Sequence, residues 1–384
     1  MNIYFYVQNF PPLGDNKIKT GPHKASHGLA SGLVNCGVEV TILCETDNFS
    51  EGSHTTQAGY TIKSFKSFDK PKGNAKKFQI SSDLQLYIQQ NLDDQSLVIL
   101  VGIFHPAVYS MSRILHKYGV PYVVAPHDPY NTAIFSKNAY LKLPYWYLFE
   151  RKVLRQAKAV QVLDSRHGKF LEQRGVNTPF LAIPNGFSPQ DVYQETSLEW
   201  QSDSHAKLFF LGRIDSHNKG LDLLIDAFAQ IAAIEDAHLT IQGPDYGDKK
   251  SLQAQVTKLS LGTKVSFLNP DFSKSPSLLI QNYDIFCISS RFEGFSLAAL
   301  EAMLAGRVLL VSEIAGIAPY IEASGCGVVV KAEVSGIKSG IMQLIQRRSE
   351  WKEMGLAGRH YALEHLQWDK IAFAALEEYK KLLS

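Results

Sequence analysis

The sequence has almost no net charge: 39 basic against 37 acidic residues leave +2 over 384 positions. A balance this even supplies no global field to attract nucleic acid. Cysteine is scarce too. Cys36, Cys44, Cys287 and Cys326 are scattered without metal-ligand spacing, which suits a reduced, cytoplasmic setting. Long apolar runs are missing, since the longest, residues 97–104, is far short of the roughly 20 residues a membrane helix needs. Met1 leads straight into an apolar strand, so no signal peptide is expected. There is no low-complexity tract and no fixed-period repeat. No two aspartates are spaced D-x-D, and no G-x-G-x-x-G follows the first strand. The second absence weighs against a nicotinamide-binding Rossmann domain, although Glu45 falls near where its acidic ribose ligand would lie. What remains is an ordinary globular composition, 45% apolar and 20% charged, in a chain long enough for two domains.

Within it, residues 283–306 stand out: Tyr-Asp-Ile-Phe-Cys-Ile-Ser-Ser-Arg-Phe-Glu-Gly-Phe-Ser-Leu-Ala-Ala-Leu-Glu-Ala-Met-Leu-Ala-Gly. Residues 284–289 are an apolar run of strand length, and 291–296 a turn holding Gly294. Residues 297–305 form a helix sequence free of β-branched residues and closed by Gly306. Residues 307–311 are a second buried strand. The order makes a βαβ unit whose turn lies at the carboxyl end of a parallel sheet, where such folds bind ligands. Glu293 sits in the turn, and Glu301 sits in a helix that is otherwise uncharged. An ionised Glu301 there needs hydrogen bonds, either from a ligand with paired hydroxyls such as a ribose or from neighbouring backbone. Glu293 reads as a ligand contact or as a solvated loop charge. The amides near Phe295, Ser296 and Leu297 suit a phosphate.

Glu293 and Glu301, separated by seven residues, resemble the E-x7-E signature of the retaining GT-B glycosyltransferases of family 4. The resemblance implies that Glu293 contacts hydroxyls of a donor sugar, beside Gly294, and that Glu301 holds the nucleotide ribose. A second stretch, Gly212-Arg213 to Lys219-Gly220, joins a strand at 207–211 to a helix at 221–233. Two cations in such a turn fit either a diphosphate site or plain surface charge. It is similar to the family's Gly-Arg…Lys-Gly signature, which implies that Arg213 and Lys219 bind the donor diphosphate, the leaving group. Gly243-Pro244 after strand 238–242 resembles the family's glycine turn. The strand at 265–268 is similar to the family's edge that packs on the base, and that resemblance implies Leu268 and Asn269 as contacts for the base.

The amino-terminal half opens with a strand at 2–7, a loop at 8–22 carrying Gly14, Lys17, Lys19 and Gly21, and a helix at 23–35. The loop resembles the family's Pro-Pro…Gly-Gly loop but has Pro22 where the second glycine would stand. Residues 50–80 are polar and lysine-rich and read as a strand plus a variable loop. Strands at 97–101 and 120–125 end near His105 and His127. A lone histidine is ordinarily a hydrogen-bonded structural residue, but His127-Asp128 resembles the family's histidine beside the reacting carbon of the donor. Residues 141–158 are aromatic and basic, and read as a helix packing its aromatics on the sheet or touching an anionic membrane surface. Pro184-Asn185-Gly186 resembles the family's segment at the domain junction.

The expected fold is α/β, of GT-B type: two doubly wound Rossmann-like domains facing a cleft. The expected spans are 1–187 for an acceptor-side domain, 188–366 for a nucleotide-sugar domain, and 367–384 for a helix crossing back to the first. The resemblance implies a retaining hexosyltransferase using UDP-glucose or a similar nucleotide sugar, in polysaccharide or glycolipid synthesis. His127, Glu293, Arg213 and Lys219 would be its catalytic residues. The expected partners are that donor and a saccharide or lipid-linked acceptor, with no cofactor and no metal. The expected location is the cytoplasm, or the periphery of the inner membrane face. A glycogen- or sucrose-forming enzyme, a sugar-nucleotide epimerase and a non-catalytic binder of the same fold are the alternatives.

Overall fold

The structure, a computed structural model, describes residues 1–11, 20–46, 52–67, 78–136, 138–192, 200 and 205–383. Gly14, Lys17 and Lys19 of the first loop lie outside these residues, as do Lys70, Lys72, Lys76 and Lys77. The chain divides into two compact units, Met1–Gly186 with Trp368–Ser384, and Phe187–Gln367.

Unit 1 holds β1 (Asn2–Tyr6), β2 (Val40–Thr46), β3 (Gly52–Thr55), β4 (Thr61–Lys66), β5 (Ser96–Val101), β6 (Tyr122–Ala125), β7 (Ala159–Val162) and β8 (Phe180–Ala182). Their order is β3-β4-β2-β1-β5-β6-β7-β8, with every ladder parallel except β3 on β4. β5, Ser-Leu-Val-Ile-Leu-Val, is buried throughout, as a parallel strand covered on both faces must be. Strand order reverses between β1 and β5, the switch point of a doubly wound sheet. Helix Trp368–Leu383 returns to this unit and packs on helix Gly21–Asn35. The approach is close because Gly28 and Gly32 lack side chains. A Cβ on Gly28 would lie 2.0 Å from Trp368 Nε1. Asn35 Nδ2 donates to Asp369 Oδ1 (2.9 Å) and Tyr379 OH donates to Gln161 Oε1 (2.6 Å).

Unit 2 holds β9 (Ala206–Leu211), β10 (Ala237–Gln242), β11 (Val265–Leu268), β12 (Ile285–Ile288), β13 (Val308–Ser312) and β14 (Gly327–Val330). The order β11-β10-β9-β12-β13-β14 is wholly parallel and reverses between β9 and β12. Helix Leu221–Ala232 buries Leu221, Leu224, Ile225, Phe228 and Ile231, one apolar face at helical spacing. These side chains form the core with Leu208, Phe210, Leu239 and Ile241 of β9 and β10.

Two segments differ from the sequence expectation. Residues 50–80 contain a strand pair, β3 antiparallel to β4, rather than a single strand. The segment expected as one helix over 141–158 is Ala139–Tyr145, then a π turn at Trp146–Glu150, then Arg151–Gln156. Pro144 offers no N–H to the preceding turn. The π turn then shifts the faces by about one residue. Trp146 is buried against the rings of Tyr130 and Phe135 while Tyr147 is exposed, so the aromatics divide between the interior and the surface.

Candidate active site

In unit 2 the turns after β9 and β12 meet at the switch point. β9 leads into Gly212-Arg213-Ile214-Asp215 and a helical turn, Ser216–Lys219. Asp215 caps that turn, its Oδ1 accepting from the Asn218 amide at 3.2 Å and its Oδ2 from Asn218 Nδ2 at 2.5 Å. Gly220 follows in the left-handed region (φ +62°), where a Cβ would lie 2.3 Å from the Ser289 carbonyl oxygen. Glycine is therefore required where the first turn crosses the end of β12.

Hydrogen bonds join the two turns. Ser289 Oγ donates to the Lys219 carbonyl (2.9 Å), and the amides of Arg291 and Phe292 donate to the Asn218 carbonyl (2.9 and 3.1 Å). The Arg291 guanidinium grips the Asp222 carboxylate at 2.8 and 2.6 Å. Burial pushes the Asp222 carboxyl up, but the bonds from Arg291 and Ser216 outweigh it and hold the group below its ordinary value. With the turns fixed, Lys219 Nζ reaches Glu293 Oε2 at 2.6 Å, and Ser290 Oγ donates to the same oxygen at 3.1 Å. The structure thus brings together Lys219 and Glu293, which lie 74 residues apart in sequence.

The glycine turn is held from β13's far end. The Gly294 carbonyl accepts from the Gly316 amide (2.9 Å), and the Phe295 carbonyl from the Ile317 amide (3.2 Å). Phe295 is buried edge-on to Tyr320. Ser296 caps helix Leu297–Leu304 from a left-handed backbone (φ 79°), its Oγ accepting from the Ala299 amide. A non-glycine residue held there carries strain, which persists only where its surroundings impose it. The amides of Leu297 and Ala298 have no intrahelical acceptor in the first turn of such a helix. Ala299, Leu300, Ala302, Met303 and Leu304 are buried, whereas Leu297 and Glu301 share the half-buried face.

Arg213 lies outside the ion pair. Its guanidinium is 5.2 Å from the centre of the Tyr246 ring, and both side chains are exposed. Gly243 (φ +151°) closes the neighbouring turn, where a Cβ would sit 1.8 Å from the Gly212 carbonyl oxygen. Leu268 and Asn269 are exposed at the end of β11. The Asn269 carbonyl accepts from Gln242 Nε2 (3.0 Å). Sequence reasoning missed Tyr246, Ser290 and the Asp222–Arg291 pair. Each stood in the sequence only as an isolated aromatic, polar or charged residue, with nothing to show what it would meet.

His127 belongs to unit 1, just beyond β6, and is half-buried with a left-handed backbone (φ 63°). Burial, with a smaller contribution from His23, lowers its pKa to about 4, so the ring is neutral near pH 7. It lines a cavity of about 10 Å³ with Ser26, Gln161 and Asn185, room for about one water. His105 caps no helix amide, and its buried Nδ1 finds no hydrogen-bond partner among the described residues. Glu45, the residue that a nicotinamide site would have used, is buried and accepts from Tyr6 OH and the Ser81 amide, both at 2.7 Å.

Comparison with known proteins bears on the family and the fold. Residues 20–186 match the glycosyl transferase 4-like domain, and residues 198–361 match glycosyl transferases group 1. An uncharacterized glycosyltransferase of Methanocaldococcus jannaschii is 27% identical over 223 residues, 53% of this chain and 55% of that protein. The chain spans little more than half the length of the curated relatives it matches. Among solved structures, the sucrose-phosphate synthase of Thermosynechococcus elongatus superposes with a TM-score of 0.78 at 17% identity, covering 99% of this chain and 98% of that one. Anabaena Alr3699/HepE in complex with UDP and glucose does so with a TM-score of 0.71 at 17% identity, covering 99% of each chain. At such identity these two likenesses establish the fold, which is GT-B. The chain belongs to the glycosyltransferases, with a 4-like domain in its first half and a group 1 domain in its second.

Proposed function

We propose that the protein transfers a hexosyl group, with retention of configuration, from UDP-glucose or a similar nucleotide sugar to a hydroxyl acceptor in polysaccharide or glycolipid synthesis. The observation that carries this reading is the Lys219–Glu293 contact of 2.6 Å at the β9/β12 switch point, beside the helix entry at Ser296. It sets a cation, a carboxylate and a helix amino-terminus together where an open α/β sheet binds nucleotides. The structure of Anabaena HepE with UDP and glucose supports the choice of donor.

In this reading Lys219 and Arg213 bind the diphosphate and stabilise the charge that grows on it as it leaves. The amides of Phe295, Ser296 and Leu297 add to that. Glu301 binds the ribose, Leu268 and Asn269 flank the base, and Gly243 admits the donor close to backbone. Glu293 orients the sugar. The bond from the anomeric carbon to the diphosphate oxygen breaks, and a bond to the acceptor oxygen forms on the same face. The acceptor proton passes to the departing phosphate.

A thermal-shift panel of sugar nucleotides followed by product analysis tests this. A ligand that binds only the folded chain raises Tm. UDP-glucose or a close analogue is expected to do so, and transfer to an acceptor should give a product of unchanged anomeric configuration. Donor isomerisation without transfer would make the protein an epimerase, and binding without any turnover would make it a sugar-nucleotide binder. Because two cations already serve the diphosphate and no D-x-D stands in the sequence, transfer is expected to continue in a chelator. Loss with EDTA and rescue by manganese would refute that.

A further inference from the structure

The cations of the unit 2 turns differ in what they meet. Lys219 is engaged by Glu293, and Arg291 by Asp222, each at 2.6 Å. Arg213 is exposed and pairs with no carboxylate among the described residues. The aspartates of its own turn and of the turn after β10 are committed elsewhere. Asp215 accepts from the amide and side chain of Asn218. Asp245 Oδ1 accepts from the amides of Gly247 (2.8 Å) and Lys249 (3.1 Å), and Asp248 Oδ2 from the Ser216 amide (2.7 Å).

What Arg213 meets is a ring. Its guanidinium lies 5.2 Å from the centre of Tyr246, inside the roughly 6 Å over which an aromatic face attracts a cation. Tyr246 is 59% exposed, yet its backbone is fixed, because the turn after β10 is laced to the turn after β9. The Gly212 amide donates to the Gln242 carbonyl (3.0 Å), the Ile214 amide to the Pro244 carbonyl (2.9 Å), and the Tyr246 amide to the Ile214 carbonyl (3.1 Å). These bonds flank Arg213 on both sides. A carboxylate in place of the ring would occupy the N–H groups of the guanidinium and cancel its charge. An aromatic face leaves the charge in place and the N–H fork open to a phosphate.

We propose that Tyr246 is a positioning residue: its ring holds the Arg213 guanidinium beyond the end of β9, uncompensated and ordered in advance for the donor diphosphate. A long side chain ordered before its ligand arrives loses less entropy on binding. The inference rests on the transferase reading, which supplies the diphosphate.

The test is calorimetric titration with UDP of the wild type, Tyr246→Leu, Tyr246→Phe, Arg213→Ala and the double variant Arg213→Ala, Tyr246→Leu. Tyr246→Leu should bind roughly two- to fivefold more weakly, the worth of an exposed cation–ring contact. It should keep its Tm, because the side chain is exposed. Tyr246→Phe, which returns the ring, should restore the affinity. In the Arg213→Ala background Tyr246→Leu should change nothing, because the ring acts through the guanidinium. NMR without ligand gives a second reading. The Arg213 Nε–H resonance, assigned by its absence from Arg213→Ala, should carry a ring-current shift that Tyr246→Leu abolishes and Tyr246→Phe keeps. UDP binding by the wild type with undiminished affinity in Tyr246→Leu would overturn this proposal alone. So would an effect that persists in the Arg213→Ala background, which would mean that the ring touches the nucleotide itself. An Arg213 resonance unmoved by loss of the ring would overturn it as well. A wild type that binds no UDP would overturn the transferase reading and this proposal together.

Discussion

Glu150 accepts from Tyr130 OH at 2.6 Å and from the Phe104 amide at 3.0 Å, both on Oε1, and burial pushes its pKa from 4.5 up to about 7. The folded chain keeps this proton where the unfolded chain has lost it. Its contribution to stability is thus present below about pH 4.5 and is lost as the pH rises through 7. A shift of this size corresponds to roughly 3 kcal/mol. Glu150→Gln retains the accepting oxygen without a charge. It is expected to match the wild type near pH 5 and to melt at a higher temperature near pH 8; equal melting at both pH values would remove the buried-charge explanation. The two site carboxylates call for separate readouts. Glu301→Ala should weaken binding of the bare nucleotide diphosphate, and Glu293→Ala should mainly lower kcat. A lost hydrogen bond to a charged group costs roughly 1.5–3 kcal/mol, one to two decades. Calorimetric titration of both variants decides it, and unchanged affinity in a folded Glu301→Ala would sink the ribose assignment.

At the scale of elements, the site is two turns held in contact. Gly220 allows the first to cross the end of β12, and Ser289, Arg291 and Phe292 bond across the crossing. Gly220→Ala forces a left-handed alanine, costing about 1–3 kcal/mol. It also drives a methyl into the Ser289 carbonyl. We expect Tm to fall by several degrees, roughly 2–4 °C for each kcal/mol. Affinity for a nucleotide diphosphate should fall as Lys219 is drawn from Glu293. A variant with unchanged Tm and unchanged affinity would show that the crossing is not rigid. The βαβ order around residues 283–306 was legible because strand runs, a glycine turn and a helix free of β-branched residues are local signals. The π turn at Trp146–Glu150 was not, since a one-residue shift of register leaves the apolar pattern nearly intact.

At the scale of the whole molecule, unit 1 is discontinuous and is completed by the last helix. Trp368, Ile371, Ala372, Ala375, Leu376 and Tyr379 are all buried. At roughly 1.5–3 kcal/mol for each large side chain, their loss approaches the 5–15 kcal/mol of a typical domain. A chain ending at Gln367 is therefore expected to lose the calorimetric transition of unit 1 and keep that of unit 2. Two intact transitions would show that the helix is dispensable.

By itself the sequence determined most of the strands, the helices that begin near residues 23, 221, 297 and 368, and the glycine turns that carry Arg213, Lys219 and Glu293. These follow from period, turn chemistry and charge, which act over a few residues. Only the tertiary structure decided that β9 and β12 are neighbours and that Lys219 therefore meets Glu293. It alone decided that Tyr147 faces water while Trp146 does not, and that burial holds His127 neutral. Strand order, register and desolvation are set by which apolar faces cover one another across the whole unit, and no window of the chain contains that information.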